Sequence, residues 1–446
     1  MLDRNGRRLL SCNVRALRAV TRSELERPSL EDSRFVHDVD YHVSATLAKD
    51  KGKEGEGLGL EARHEAGGAR WRATSSTPFF SVVDYGAIGN GQADDTLAFA
   101  KAWEATCASL SSPIMKVPSG KTFLIQPLRF MGPCNSSSIT VKIDGNLVAP
   151  TSPYSWRCDG NVCHQLLYFH EVDGLTLEGQ GVIDGQGQQW WQNTNMYRPT
   201  IMEIANSDNV TINGGLTFKD SPSKHIVLNG IQSLSISGLT VEAPGNSPNT
   251  DGMLLQYCTN VHITSSRIGT GDDCIAIING TSNARIDNIV CGPGHGISIG
   301  SLGNNGAEAI VEDITVSNVL FRNTTNGARI KTWQGGRGYV RNIHYEKLWF
   351  HDTMYPIIID QFYGGNQYIT SNNAVAISNV SYNVLVGISS GDEAVVLNCS
   401  KAVPCRDVVV QNLHVVKDGG KPTTFGCENV FGRALGHLVP KLSCLL

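Results

Sequence analysis

Short runs of alternating hydrophobic and polar residues recur along the chain from about residue 170. Alternation of this kind predicts β-strands that bury one face. Asn, Asp and Gly separate the runs, and no long helical pattern lies between them. The predicted strands of this repeat are at residues 175–177, 210–212, 234–236, 261–263, 284–286, 314–316, 343–345, 380–382 and 408–410.

The spacing of these runs indicates the fold class. Most of the early runs follow one another with a period in the twenties, and no helices intervene. Such a period excludes βαβ units and favours a solenoid of strands, and the frame of a leucine-rich repeat is absent. The sequence therefore predicts an all-β chain, a right-handed parallel β-helix built as a single-stranded solenoid. A β-sandwich is the alternative. A helix over residues 94–107 is expected to cap the N-terminal end.

Charge divides the chain into two segments. One in three of residues 1–78 is charged, whereas about one in seven of residues 79–446 is charged. The first segment also lacks a sustained hydrophobic period, so we expect it to be an atypical and disordered extension. Residues 79–446 are then the β-helix domain.

The net charge of −4 gives no electrostatic support for nucleic-acid binding, and no apolar stretch is long enough to span a bilayer.

The cysteines and glycosylation sequons favour a secreted protein. Most of the twelve cysteines form close sequence pairs without CxxC spacing, which is typical of disulfides rather than zinc ligands. No signal peptide is visible after Met1, so we interpret the N-terminus as an atypical or misassigned start. The sequons are at Asn135, Asn209, Asn279, Asn323, Asn379 and Asn398. The predicted pairs are Cys158 with Cys163, Cys274 with Cys291, Cys399 with Cys405, Cys427 with Cys444 and Cys107 with Cys134, which leaves Cys12 and Cys258 unpaired.

Four short motifs carry the candidate chemistry. The interval from Asp251 to Asp272 is nearly equal to the interval from Asp273 to His295. If one coil has about that length, these residues stack on consecutive coils roughly 4.8 Å apart. Each motif alone has an ordinary structural interpretation as a turn, a loop tip or a solvated strand face. Their common spacing predicts an active site. The motifs are Asn249-Thr250-Asp251-Gly252, Gly271-Asp272-Asp273-Cys274, Gly294-His295-Gly296 and Arg329-Ile330-Lys331.

The motifs resemble the four signature motifs of polygalacturonases, the pectin-hydrolysing members of the β-helical pectinase superfamily. The match is most similar to plant members and covers residues 79–446. It begins with Val83-Asp84-Tyr85-Gly86-Ala87. The strings that carry it are Ser247-Pro248-Asn249-Thr250-Asp251-Gly252, Gly269-Thr270-Gly271-Asp272-Asp273-Cys274, Cys291-Gly292-Pro293-Gly294-His295-Gly296-Ile297-Ser298 and Arg329-Ile330-Lys331-Thr332-Trp333.

This resemblance implies inverting hydrolysis of α-1,4-galacturonan, without a metal or other cofactor. It implies that Asp272 is the general acid, that Asp251 and Asp273 activate the water, and that His295 hydrogen-bonds within the cluster or contacts substrate. Inverting enzymes need their two carboxyl groups roughly 6.5–9.5 Å apart. The residues implied to bind substrate are Arg329 and Lys331, which suit the uronate carboxylate, and Tyr363 and Asn249.

The implied partner is pectin, or homogalacturonan, and the implied enzyme is a monomer of the cell wall. Endo attack is the expected mode, with exo attack as the alternative. A pectate lyase would share the solenoid and the substrate but would use Ca²⁺, for which Asp251, Asp272 and Asp273 are conceivable ligands. A solenoid that binds pectin without cleaving it is a further alternative, although all the matched acids are present.

Overall fold

The computed structural model describes residues 77–158, 163–192, 196–364 and 371–445. The predicted extension at residues 1–78 lies outside the described residues, except for Thr77 and Pro78. The first strand begins at Phe79, next to the expected boundary. Among the described residues, no helix has the length and apolarity needed to cross a bilayer.

Thirty strands and two α-helices make up the described chain. The helices are α1 (Thr96–Cys107) and α2 (Gln188–Trp191). The strands are β1 (Phe79–Ser81), β2 (Asn90–Asp94), β3 (Ile114–Val117), β4 (Thr122–Leu124), β5 (Leu128–Met131), β6 (Ile139–Ile143), β7 (Asn146–Val148), β8 (Gln165–His170), β9 (Leu175–Glu178), β10 (Val182–Asp184), β11 (Thr200–Ala205), β12 (Val210–Ile212), β13 (Thr217–Lys219), β14 (Ile226–Asn229), β15 (Gln232–Ser237), β16 (Thr240–Glu242), β17 (Met253–Gln256), β18 (Thr259–Gly269), β19 (Ile275–Ile277), β20 (Thr281–Cys291), β21 (Ile297–Leu302), β22 (Glu308–Arg322), β23 (Asn326–Thr332), β24 (Arg337–Thr353), β25 (Tyr355–Asp360), β26 (Ala376–Ser389), β27 (Glu393–Asn398), β28 (Cys405–Lys417), β29 (Thr424–Glu428) and β30 (Val430–Val439).

The strands form two parallel sheets that wind together as a right-handed β-helix, which confirms the predicted fold class. One sheet contains 19 strands. The other contains 11 strands, which stack in chain order from β5 to β29. All nine predicted runs lie in strands of the 19-stranded sheet. Pairing aligns residue with residue, in the order Val210, Leu234, Val261, Ala284, Ile314, Ile343, Val380 and Val408.

The core consists of apolar columns inside the coils. Ile226, Met253, Ile275 and Ile297 pair in succession in the 11-stranded sheet, and each side chain is fully buried. Burying an aliphatic side chain of this size contributes about 1.5–3 kcal/mol relative to exposure. Each coil therefore covers the hydrophobic face of its neighbour, which a single coil could not do for itself.

Long strands of the 19-stranded sheet bend at one aligned position. The residue at the bend has a positive φ in six consecutive coils, between 51° and 56°. Asn tolerates this left-handed conformation better than most residues because its short side chain bonds locally. The Asn residues that separate the predicted runs are thus favoured by the bend. The aligned positions are Ser265, Asn288, Asn318, Lys347, Val384 and Asn412.

Helix α1 packs on the first coils, as the sequence predicted, but it begins two residues later than expected. Asp94 belongs to β2. Asp95 is the residue before the helix, and its carboxylate accepts bonds from the backbone N–H groups of Ile88 and Gly89. Trp103 lies on the buried face of the helix. Its ring meets the rings of Phe130 and Phe169 edge-on, which closes the N-terminal end of the core.

The five predicted disulfide bonds are present: Cys107–Cys134, Cys158–Cys163, Cys274–Cys291, Cys399–Cys405 and Cys427–Cys444. Cys258 is buried and has no disulfide partner among the described residues, and burial raises its thiol pKa to about 11. The other cysteine expected to be unpaired, Cys12, lies outside the described residues. The Cys274–Cys291 bond joins the residue that follows Asp273 to the last residue of β20.

Candidate active site

The candidate site lies where consecutive strands of the 11-stranded sheet begin. Strand pairing aligns Ile226, Met253, Ile275, Ile297 and Ala328, and the residues two positions before each of them form one line across consecutive coils. We call this line the pre-strand column. Its members, from the N-terminal coil onward, are Lys224, Asp251, Asp273, His295 and Asn326.

Two coils at the site have equal length, because Met253 pairs with Ile275 and Ile275 pairs with Ile297. The sequence interval from Asp251 to Asp272 is one position shorter than such a coil. Asp272 therefore lies one position before the place that aligns with Asp251. Asp273 occupies the aligned position, and Asp272 precedes it. Both carboxylates still belong to the same coil, so the predicted three-coil cluster is present.

Asp273 is the buried centre of this cluster, with 1% of its area exposed. Its Oδ1 accepts hydrogen bonds from Ser298 Oγ at 2.7 Å and from Arg329 Nη2 at 2.5 Å. Its Oδ2 accepts a bond from Lys331 Nζ at 2.8 Å. Arg329 also donates from Nε to Ser298 Oγ at 2.8 Å. Two cations and a hydroxyl thus hold the Asp273 side chain through strong, charge-assisted hydrogen bonds.

Asp272 pairs with His295. The Nδ1 atom of His295 lies 2.9 Å from Asp272 Oδ1, which also accepts a 2.8 Å bond from the backbone N–H of Asp273. Burial acts to raise the pKa of Asp272, but the hydrogen bond from His295, the charge of His295 and the charge of Lys331 outweigh it and lower that pKa to about 2. Asp272 is therefore the anion of a His–Asp pair in this structure.

Asp251, in contrast to Asp272, has a raised pKa. Burial raises its pKa to about 7, and the charges of Asp272 and Asp273 add to the rise. Lys224 opposes this rise, since its Nζ lies 3.7 Å from Asp251 Oδ1. Below neutral pH one proton thus resides on Asp251, because three carboxylates this close together resist being ionised at the same time.

This raised pKa predicts a pH-dependent effect of Asp251→Asn. Native Asp251 binds its proton up to about pH 7 and the unfolded chain only up to about 3.8, so the free energy of unfolding falls as pH rises between these values. Asn cannot ionise. We expect the variant to match the parent protein at pH 4 and to be more stable by roughly 2–4 kcal/mol at pH 8. Urea denaturation at both pH values measures this, and an equal difference at the two would contradict it.

The structure brings the other predicted site residues to the same place. Asn249 donates from Nδ2 to Asp272 Oδ2 at 3.4 Å. Arg329 and Lys331 point at Asp273, and Lys331 is 6% exposed. The Lys331 ammonium lies 5.2 Å from the ring centroid of Tyr363, which places that tyrosine beside the cluster. Every predicted catalytic and substrate-binding residue is thus in one cluster, although the two cations contact a carboxylate of the protein itself.

Glycine is required immediately before Asp272. A Cβ atom on Gly271 would overlap the backbone carbonyl oxygen of Ser247 in the preceding coil. The backbone N–H of Gly271 instead donates to Thr250 Oγ1 at 2.9 Å. This close approach brings the turn that carries Asp272 against the turn that carries Asp251.

Sequence reasoning assigned no role to Ser298, Lys224, Arg198 or His225. Ser298 lay within a quoted motif, and Lys224 is detectable only once the register is known, since it shares the pre-strand column with Asp251. His225 is fully buried and neutral, because burial lowers its pKa to about 4. It donates from Nδ1 to the Asp251 carbonyl oxygen at 3.1 Å. No local sequence signal marks Arg198.

Arg198 braces the Asn249 turn. Its Nη2 donates to Asn249 Oδ1 at 2.7 Å, and its Nη1 donates to the carbonyl oxygens of Pro222 and Pro248. Burial lowers the pKa of Arg198. Among the described residues, this guanidinium has no carboxylate partner.

A cleft of about 450 Å³ opens beside Asp251 on its N-terminal side. Its walls come from four coils, between β8 and β17. Arg198, Lys224 and Asn249 line the end next to the cluster, and Val227 and Leu254 pair across neighbouring strands in the cleft. A smaller cavity of about 80 Å³ continues from it toward Arg129 on β5. The cleft and this cavity thus form an extended groove beside the cluster.

Comparison with known proteins identifies the family. Residues 107–441 match the family model for glycosyl hydrolases family 28. The chain therefore belongs to glycosyl hydrolase family 28. It is accordingly a glycoside hydrolase.

Relatives of the chain are named as polygalacturonases. A probable polygalacturonase of Arabidopsis thaliana is 43% identical over 378 residues, which are 83% of this chain and 81% of the relative. A polygalacturonase of Persea americana is 39% identical over 383 residues, which are 84% of this chain and 81% of the relative.

Two solved structures share the fold, each at 23% identity. The endo-xylogalacturonan hydrolase from Aspergillus tubingensis has a TM-score of 0.68, covering 81% of this chain and 100% of that one. The polygalacturonase from Erwinia carotovora ssp. carotovora has a TM-score of 0.65, covering 82% of this chain and 99% of that one.

Proposed function

We propose that the protein hydrolyses α-1,4-galacturonosidic bonds in pectin and polygalacturonate, with inversion at the anomeric carbon and with endo attack. The observation that carries this proposal is the cluster of Asp251, Asp272 and Asp273 beside a groove that is lined with cations. The polygalacturonase names of its relatives support the same substrate.

The proposed roles follow from the chemistry of inversion. Asp272 protonates the oxygen of the leaving group, and Asp251 and Asp273 activate the attacking water. Arg329 and Lys331 lie next to the Asp273 carboxylate, and their positive charges suit the uronate carboxylate of the substrate. His295 holds Asp272 through its Nδ1 hydrogen bond.

The pKa shifts place the proton on Asp251 rather than on Asp272. The proposed reaction therefore requires a proton to reach Asp272 when substrate binds. Two features support this transfer. The hydrogen bond from His295 offers a proton directly to Asp272 Oδ1. A polyanionic substrate also excludes water and adds negative charge, and both effects raise carboxyl pKa values.

The length of the groove supports endo attack. The larger cleft has walls from four coils, and the smaller cavity extends it to β5. Coils stack at intervals of about 4.8 Å, so the surface from β5 to β17 extends roughly 19 Å from the cluster toward the N-terminus. A binding surface of that length suits internal positions of a polymer. Viscosity loss compared with the release of reducing ends tests the mode, and slow viscosity loss would favour exo attack.

The five disulfides support the proposal that the enzyme is secreted and acts in the cell wall, because such bonds persist in oxidising surroundings. We also propose that it acts as a monomer on its pectin substrate.

The cluster suits a hydrolase better than a calcium-dependent lyase. Asp272, Asp273 and His295 bring three potential ligand atoms within 4.8 Å of one another. Both oxygens of Asp273, however, already accept bonds from Arg329 and Lys331. These two positive charges oppose the binding of a cation, and a metal ion would have to displace them.

The stereochemistry of the product tests the proposal. Proton NMR of early digestion products should show a β reducing end released from the α linkage. A retaining enzyme would need a nucleophilic carboxylate about 5 Å from the acid, and it would give the α product first. Unsaturated products that absorb in the ultraviolet would identify a lyase instead.

A further inference from the structure

We propose that Lys224, with Arg198 beside it, forms a subsite that binds a free carboxylate of a galacturonate unit adjacent to the scissile bond. This inference rests on the proposed function and adds a substrate preference to it. The subsite requires a unit that is not methylesterified at this position.

Its location follows from the register. Lys224 occupies the pre-strand column one coil before Asp251, so it is the next side chain along the line that contains the proposed catalytic residues. Coils lie about 4.8 Å apart. A polymer that crosses the cluster along this line and enters the cleft of about 450 Å³ must pass Lys224.

Lys224 is available to a ligand. Its side chain is 31% exposed, and its Nζ approaches Asp251 only to 3.7 Å, which is too long for a hydrogen bond. Within the described part of the chain, Lys224 Nζ donates no hydrogen bond. Its three donors can therefore reach a carboxylate in the cleft.

The charges of the cleft favour an anion. Arg198 and Lys224 both line it, and Arg198 lacks a carboxylate partner within the described ranges. When Asp251 holds its proton, Lys224 loses its nearest negative charge. Glu203, one coil further toward the N-terminus, is the nearby acid that lines the cleft, and it already accepts a bond from Gln165. The end of the cleft next to the cluster is thus positive.

The remaining lining suits a sugar ring. Val227 and Leu254 pair on adjacent strands and are both partly exposed in the cleft. Tyr197 is 58% exposed and lines the same cleft. Apolar and aromatic side chains next to a cation provide both faces of recognition that a uronate needs, for its ring and for its charge.

The experiment compares Lys224→Met and Lys224→Arg with the parent enzyme on oligogalacturonates and on pectins of increasing methylesterification. Lys142→Met is the matched control, since Lys142 forms a similar 3.6 Å ion pair with Glu178 and does not line the cleft. We expect Lys224→Met to raise KM for free galacturonan about tenfold or more, as loss of a charged hydrogen bond predicts. Its preference for free over methylesterified substrate should shrink by a similar factor. Lys224→Arg should retain most of the affinity for free galacturonan and most of the preference for free over methylesterified substrate.

A binding measurement separates recognition from chemistry. In the Asp272→Asn background, calorimetry with unmethylated hexagalacturonate should show Kd weakened by Lys224→Met to the same degree as KM. Equal KM changes on free and methylesterified substrates would overturn the proposal. A shifted pH profile without a change in KM would also overturn it, because Lys224 would then act only through Asp251. A parent enzyme that releases no reducing ends from polygalacturonate would instead refute the proposed function.

Discussion

Replacement of Asp272 by Asn is expected to lower kcat on polygalacturonate by roughly 10²–10⁴-fold. The amide keeps the shape of the carboxyl group but cannot deliver a proton to the leaving oxygen. Substrate binding should be largely retained, because Asp273 and the two cations around it are untouched. Initial rates of reducing-end release and a Kd for hexagalacturonate measure both quantities.

Two comparisons make this prediction specific. Asp352→Asn is the control, since Asp352 forms a similar His–Asp pair with His351 at 3.4 Å but is 52% exposed. It should leave kcat unchanged. An aryl galacturonide with a good leaving group needs little protonation, so Asp272→Asn should lose much less activity on it. If Asp251→Asn shows that pattern instead, Asp251 is the acid and the proposed roles are exchanged.

Replacement of Asp273 by Asn should have the largest effect on stability. The substitution removes the one carboxylate that hydrogen-bonds both Arg329 and Lys331, and both cations remain largely buried. Breaking a buried ion pair by removing one partner costs about 3–5 kcal/mol. The midpoint of urea denaturation at pH 6 should fall accordingly, and activity should be lost with it.

A double variant tests the cause. Lys331→Met in the Asp273→Asn background removes one of the two unpaired charges, so it should recover part of the lost stability. Lys331→Met alone should destabilise the protein less than Asp273→Asn, because Arg329 and Ser298 still hold the carboxylate. If the two substitutions are simply additive, the buried charge is not the source of the loss.

The sequence predicted the solenoid because short alternating runs recur along the chain without helices between them. The predicted runs that begin at Val210 and Leu234 pair at those same two residues, so the repeat in the sequence is also the register of the sheet. Coil register also explains why the candidate site was predictable. Asp251, Asp273 and His295 are far apart along the chain but occupy equivalent places in coils of equal length.

Other contacts of the site could be identified only from the structure. The resemblance to polygalacturonases implied that Arg329 and Lys331 bind the substrate, whereas in the structure both contact Asp273. Residue type alone cannot distinguish these partners, because one guanidinium binds either carboxylate equally well. Arg198 lies 51 residues from its partner Asn249, and no local pattern connects them.

The two coils between Asp251 and His295, measured from Met253 to Ile297, are the shortest in their sheet among the described residues. The next two coils, from Ile297 to Ile357, are both longer. Longer coils can absorb insertions in their loops without moving a strand, whereas the short coils have far fewer loop residues to absorb one. A single residue inserted or deleted within the strands between Asp251 and His295 would reverse the alternation of side chains and turn a carboxylate toward the apolar interior. Length changes that preserve activity should therefore be confined to the flanking coils, where they reshape the walls of the groove.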